Sequence, residues 1–218
     1  MLRIAVTHDN KDALKLFSRE IVQAATAMAP GLTGIVGGRP RVSPVIRLFS
    51  FLMPKKDVNV TLDLEGEKIQ VEIPLEGGFH ESLIGVREIP PTQTLDGRTT
   101  LPLIKLALAR SGDKGDHSNI GVIARKPAYA PYIRSALSEE AVSDYMGHVL
   151  DKDRGKVTRW ELPGINAFNF LLENSLGGGG VASLRSDPQG KGFAQQLLDF
   201  PVPVPEELAR ELSDAPEM

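Results

Sequence analysis

An α+β fold made of two-layer sandwiches is predicted by three features of the 218-residue sequence. Stretches with alternating apolar and polar side chains are interspersed with stretches whose apolar residues recur at helical spacing. The connections are short, which favours local packing of helices on strands over a long crossover architecture. A segment without periodicity, rich in glycine and proline, separates two such groups of elements.

The elements follow in order. Leu2, Ile4 and Val6 alternate with Arg3, Ala5 and Thr7, which predicts a half-buried strand. Asp9 or Asn10 can cap the helix that follows, with Leu14, Phe17, Ile21, Ala25 and Met28 on one face and Pro30-Gly31 at its end. A glycine-rich turn covers 34–40. Ser43-Pro44 then predicts a helix start, because a proline at the first helical position gives up an amide that has no partner. Its apolar face is Val45, Ile46, Leu48, Phe49 and Leu52. Val58, Val60, Leu62 and Leu64 alternate up to Glu65-Gly66-Glu67, and Ile69, Val71 and Ile73 alternate on the return, which predicts a hairpin.

Residues 79–100 read as a linker with one short strand at 82–87, separating a module at 1–78 from another at 101–205. In the second module we expect a strand at 103–109, a polar loop at 111–119 and a strand at 120–124. Helices follow at 128–136 and after the cap Ser138, where Val142, Tyr145, Met146, Val149 and Leu150 share a face. A strand at 157–162, a helix at 166–176 ended by glycines, and a strand at 181–185 come next. Asp187-Pro188 opens a last core helix, and Pro201, Pro203 and Pro205 hold the chain extended before a tail at 206–218. A ferredoxin-like arrangement suits each module, with a single continuous sheet as the alternative.

Composition narrows the functional classes. With 41% hydrophobic and 24% charged residues the chain can bury an ordinary core. A net charge of -3 gives no electrostatic footprint for nucleic acid. No apolar run approaches the roughly 20 residues of a membrane helix, and the N-terminus lacks a signal-peptide pattern, so a cytoplasmic, soluble protein is expected. The absence of cysteine excludes disulfides, thiolate metal sites and cysteine nucleophiles.

Ser111-Gly112-Asp113-Lys114-Gly115-Asp116-His117-Ser118-Asn119 is the densest polar stretch. Asp113, Asp116 and His117 are the candidate catalytic residues, as divalent-metal ligands or with His117 as a general base oriented by an aspartate. Lys114 with backbone amides can hold a phosphate or carboxylate, and Ser111 and Asn119 can add substrate contacts. The competing account is a polar hairpin connection, where glycine, aspartate, asparagine and serine recur because turns need them. Four consecutive glycines, 177–180, follow Asn166, Asn169 and Asn174. One would end a helix; four suggest close approach of a ligand or second chain at Gly178 and Gly179. Asn166 is a further candidate, and so is Arg39, in a glycine-rich turn beside Arg41, for an anion. Arg185 is a weaker one.

The run Ala107-Leu108-Ala109-Arg110-Ser111-Gly112-Asp113-Lys114-Gly115-Asp116-His117-Ser118-Asn119-Ile120-Gly121-Val122 resembles the start of the C-terminal domain of the acyclic terpene utilisation (AtuA) family. Leu162-Pro163-Gly164-Ile165-Asn166-Ala167, the glycines up to Ser183-Leu184-Arg185, and Leu198-Asp199-Phe200-Pro201-Val202-Pro203 follow in that family's order. Pro30-Gly31-Leu32-Thr33-Gly34 and Gly37-Gly38-Arg39-Pro40 resemble the end of its larger preceding domain. The resemblance implies a ferredoxin-like C-terminal domain and a place in the breakdown of acyclic terpenes through acyl-CoA intermediates. Hydration, dehydration or carbon–carbon lysis of a branched acid or its CoA thioester would fit. Most of the family's large domain is missing here. A small subunit or C-terminal part is therefore expected, working with a larger AtuA-type subunit, as a homo-oligomer, or both. The alternative is a non-catalytic assembly or substrate-binding module.

Overall fold

The computed structural model describes residues 4–28, 30, 38–85 and 99–213. Its contacts divide the chain into two units, residues 1–47 with 92–218, and residues 48–91.

In the larger unit, helix α1 spans Lys11–Glu20 and a 3-10 turn, Ile21–Gln23, leads into the short α2, Ala24–Ala27. Asn10 is the cap: its side-chain oxygen accepts from the N–H of Asp12 at 2.8 Å. Residues 4–7 form no strand, while 1–3, Gly31 and the glycine turn at 34–37 lie outside the described residues.

The smaller unit holds the expected hairpin, β1 (Val60–Leu64) and β2 (Glu67–Val71), paired antiparallel with Val60 opposite Val71. Glu65 and Gly66 both have positive φ, 52° and 94°, the backbone that a two-residue turn needs to follow the strands' twist. Every residue of the two strands is exposed, so the alternation marks a two-stranded ribbon. The helix expected after Ser43-Pro44 is absent. Phe49 and Leu52 are 82% and 101% exposed, and a short helix without a surface on which to bury its apolar face is marginal in water. A 3-10 turn, Glu81–Leu83, occupies the place of the short strand expected at 82–87, of which 86 and 87 lie outside the described residues.

The core lies between residues 101 and 209. Strand β3 (Thr99–Pro102) enters it, a 3-10 turn Leu103–Lys105 follows, and β4 (Ala107–Lys114) and β5 (His117–Ala124) form a hairpin. Helices α3 (Ala130–Ala136) and α4 (Glu139–Tyr145) come next, the latter capped by Ser138, whose hydroxyl accepts from the N–H of Ala141 at 3.0 Å. Strands β6 (Lys156–Leu162) and β7 (Ala167–Glu173) form a second hairpin, and α5 (Phe193–Leu197) returns to pack on β4. Strand β8 (Pro201–Val204) pairs antiparallel with β3, and α6 (Glu206–Ser213), where a tail was expected, buries Ala209 against the core.

The four-stranded sheet runs β4-β5-β7-β6, antiparallel throughout. That order is what a βαββαβ ferredoxin-like chain becomes when its first strand and helix are moved to the end. Alternation assigns the faces. Ile120, Val122, Phe168, Phe170 and Leu172 point to the helices and are at most 1% exposed. Leu108, Ile123, Trp160 and Leu162 point the other way and remain exposed.

Several expectations in this module are corrected. The segment 166–176 is not a helix: Phe168, Phe170 and Leu172 are buried at a period of two, and its aromatic residues suit a central strand. The expected strand at 103–109 is interrupted by the 3-10 turn. Most of the "polar loop" is strand, and only Gly115 and Asp116 turn. Residues 181–185 form no strand: the chain turns at 180–182, where the carbonyl of Gly179 accepts from the N–H groups of Ala182 and Ser183. The last core helix starts at Phe193 because the Asp187 carboxylate accepts from the N–H groups of Lys191 and Gly192, holding a turn before it.

Candidate functional site

The polar stretch forms the tip of the β4–β5 hairpin. Lys114 pairs with His117, leaving Gly115-Asp116 as a two-residue turn with Gly115 at φ +69°. The tip is joined to the chain leaving β7. The Asp116 carbonyl accepts the N–H groups of Ser175 and Leu176, each at 3.0 Å, and its carboxylate accepts that of Gly178 at 2.7 Å. His117 Nδ1 accepts the N–H of Asn174 at 2.8 Å. Ser118 and Ser175, both fully buried, meet at 2.7 Å, and Ser175 also donates to the Leu172 carbonyl.

The glycines serve this junction. Gly178 and Gly179 have φ of +107° and +89°, and a Cβ on Gly179 would lie 3.1 Å from the Gly115 carbonyl oxygen. Gly177 makes room for Arg185, whose guanidinium donates to the carbonyls of Val149 and Ser175 and so holds the chain instead of presenting a charge to an anion. Asn166, in the left-handed conformation at φ 51°, shapes the turn between β6 and β7, and its carbonyl accepts from Ala124.

Alternation also separates the three candidate catalytic side chains. Asp113 lies on the helix-facing side, His117 is on the opposite side, and Asp116 occupies the turn. Among the described residues no group of three histidine, aspartate or glutamate side chains is positioned to hold a metal ion. His117 is further constrained. With Nδ1 accepting an amide proton, the neutral ring carries its own proton on Nε2 and has no lone pair free for a base or a metal.

The flanking polar residues have local partners. Ser111 Oγ, buried, accepts the N–H of Ala194 at 2.9 Å and donates to the Lys191 carbonyl, tying β4 to the start of α5. Lys191 lies 3.4 Å from the Asp113 carboxylate. A hydrogen bond from its own backbone amide, and then Lys191, hold the Asp113 carboxyl below the ordinary carboxylate range. Lys114 donates to the Asp113 carbonyl, and Asn119 donates to the Asn169 side chain across the open face at 2.9 Å. The structure thus brings Asp116 together with Gly178 and Gly179, and does not gather Asp113, Asp116 and His117 into one centre.

Arg39 lies elsewhere, in a groove of about 690 Å³ with Lys15, Arg19 and Arg41. Lys15 pairs with Asp12 and Arg19 with Glu20, whereas Arg39 and Arg41 make no hydrogen bond or ion pair among the described residues.

Two features were not anticipated. On the helix side, Glu161 of β6 accepts from Arg134 of α3 at 2.9 Å and from Arg159 at 3.4 Å, and both guanidiniums lie over the Phe168 ring. On the open side, a groove of about 430 Å³ runs over Gly121 between Leu108, Ile123, Leu162 and Ile165, with Arg110 at its edge. The alternation of 107–110 and 120–123 was the available signal for the groove, and the helix expected at 166–176, which contains Ala167, Phe168 and Asn169, hid it.

Among the described residues no helix is long and apolar enough to cross a membrane. Comparison with curated proteins and with solved structures found no match to either. Two family models do match: the AtuA ferredoxin-like domain over residues 101–203, and the acyclic terpene utilisation family protein AtuA over residues 1–64. The chain belongs to the acyclic terpene utilisation (AtuA) family and carries that family's ferredoxin-like domain.

Proposed function

We propose that this chain is a substrate-binding module in acyclic terpene breakdown, holding an acidic, apolar intermediate for a larger AtuA-type partner that carries the chemistry. The observation behind this reading is the hydrogen bond from the Asn174 amide to His117 Nδ1, together with the three amides held by Asp116. These bonds use the hairpin tip to fasten the fold. Hydration, dehydration or carbon–carbon lysis then falls to residues of the partner. The alternative, in which Asp113, Asp116 and His117 perform acid–base or metal chemistry, requires His117 to release Asn174 and turn its ring. Arg39 and Arg41 supply a basic groove suited to the phosphates of a CoA carrier.

The test is to incubate the purified chain, without a partner, with citronellic acid and with its CoA thioester, following both binding and product formation. Binding without conversion, unchanged in His117→Ala, is expected. Conversion by the chain alone that disappears in a folded His117→Ala variant would return the chemistry to the hairpin tip.

A further inference from the structure

The sheet face away from the helices is built in cross-strand rows. One row, Leu108, Ile123, Ala167 and Leu162, is apolar throughout. The next is Arg110, Gly121, Asn169 and Trp160. Gly121 is the only residue of these eight without a side chain, so the sheet is depressed there, and the neighbouring apolar row and Ile165 wall the hollow. The glycine is not required by the backbone. Its φ lies outside the left-handed region, and an added Cβ would meet only the Arg110 carbonyl oxygen at 3.8 Å, an ordinary contact. A strand would be more stable with a branched residue at that place. Space above the sheet is what the glycine provides.

Charge singles out the kind of occupant. The exposed side chain of Arg110 makes no hydrogen bond or ion pair among the described residues. No carboxylate stands in either row. A bare guanidinium at the rim of an apolar hollow complements a ligand with one acidic head and a hydrocarbon body. The volume of about 430 Å³ lies within the range of small-molecule sites. We propose that this groove binds an apolar monocarboxylate, its hydrocarbon chain lying across Gly121 and its carboxylate on Arg110. This identifies the site of the binding function proposed above and rests on that reading. A second copy of the chain stacked on the same face is the competing occupant.

The chain contains one tryptophan, Trp160, on this face and in register with Asn169, which lines the groove, so its emission serves as the probe of occupancy. The full chain is titrated with citronellic acid, with citronellol and with straight-chain decanoic acid, and its mass is measured by sedimentation. A saturable change in Trp160 emission with citronellic acid is expected, with no change in mass. Arg110→Gln weakens the acid roughly tenfold or more, the loss of one charge-assisted pair, and leaves the alcohol unchanged. Gly121→Val removes binding of both, and Gly121→Ala gives a graded loss, with the far-ultraviolet circular dichroism of each variant unaltered.

The absence of saturable binding by equilibrium dialysis overturns the assignment. So does wild-type affinity in a folded Gly121→Val variant, or a wild-type dimer that Gly121→Val dissociates. If decanoic acid binds as well as citronellic acid, with the same Arg110 and Gly121 dependence, the groove stands and the acyclic-terpene substrate class does not.

Discussion

His117 Nδ1 accepts the backbone N–H of Asn174 at 2.8 Å, so an imidazole at a hairpin tip fastens the end of the neighbouring strand. Asn174 itself is in the left-handed conformation, φ 50°, and its side chain donates to the Arg154 carbonyl. The histidine therefore supports a turn that the backbone does not favour unaided. His117→Ala leaves a partly buried amide without its acceptor and is expected to lower unfolding free energy by about 1 kcal/mol. Nitrogen NMR of the imidazole should show the Nε2–H tautomer. An Nδ1–H ring would remove the structural role.

The glycine run gives a positional prediction. Gly179→Ala places a Cβ 3.1 Å from the Gly115 carbonyl at φ +89°, so both the backbone and the contact resist it. A loss of about 1–3 kcal/mol is expected. At Gly180 the nearest atom is Cγ of Gln189, at 3.4 Å, and φ lies outside the left-handed region, so alanine there should be tolerated. Urea denaturation of the two variants separates them, and equal losses would remove the hairpin contact as the reason for glycine at 179.

How much of this was legible beforehand varied with the range of the forces. The Ser138 cap, the Asn10 cap and the Glu65-Gly66 turn are local devices, set by neighbours within a few residues, and their residue types show it. Strand β7 has the sequence of a helix as much as of a strand, because Phe168, Phe170, Leu171 and Leu172 form a short apolar run that fits either period. Burial against the helices, a long-range fact, decided it. The helix expected from Ser43-Pro44 fails for the complementary reason: the apolar pattern is there, and among the described residues nothing covers Phe49 or Leu52. At the hairpin tip, turn chemistry and catalytic chemistry use the same residue types. Only the amides of Asn174, Ser175, Leu176 and Gly178, about 60 residues further along the chain, show which one applies here.

Acid should weaken the packing of β4 on the start of α5 through Asp113. Its carboxyl is held below the ordinary range by its own backbone amide and then by Lys191. A group with a depressed folded-state value stabilises the fold above the unfolded carboxylate value, near 3.9, and loses that contribution as pH falls through the lower folded value. Asp113→Asn is therefore expected to be less stable than the parent near neutral pH and to converge with it in strong acid. Because Asp113 and Lys191 are 38% and 60% exposed, the difference should be small and should shrink further in high salt. Urea midpoints across an acid series test this, and a gap that persists in strong acid would assign the effect to something other than charge.

The largest single-residue effect is expected at Glu161. Its side chain and that of Arg134 are 11% and 6% exposed, and Arg159, at 22%, shares the same carboxylate. Arg159 also donates to the carbonyls of Arg134 and Leu137, joining β6 to the end of α3. Removing the carboxylate takes from Arg134 and Arg159, both lying over Phe168, the ion-pair partner they share, and breaking a buried pair in this way typically costs about 3–5 kcal/mol. Glu161→Gln keeps the shape and loses the charge, so most of that cost should remain. Replacing all three together by apolar residues of similar volume should recover much of the stability, because the desolvation of each charge is relieved at the same time. Thermal unfolding of the single and triple variants distinguishes the cases: if Glu161→Gln is as stable as the parent, the network contributes packing and not charge.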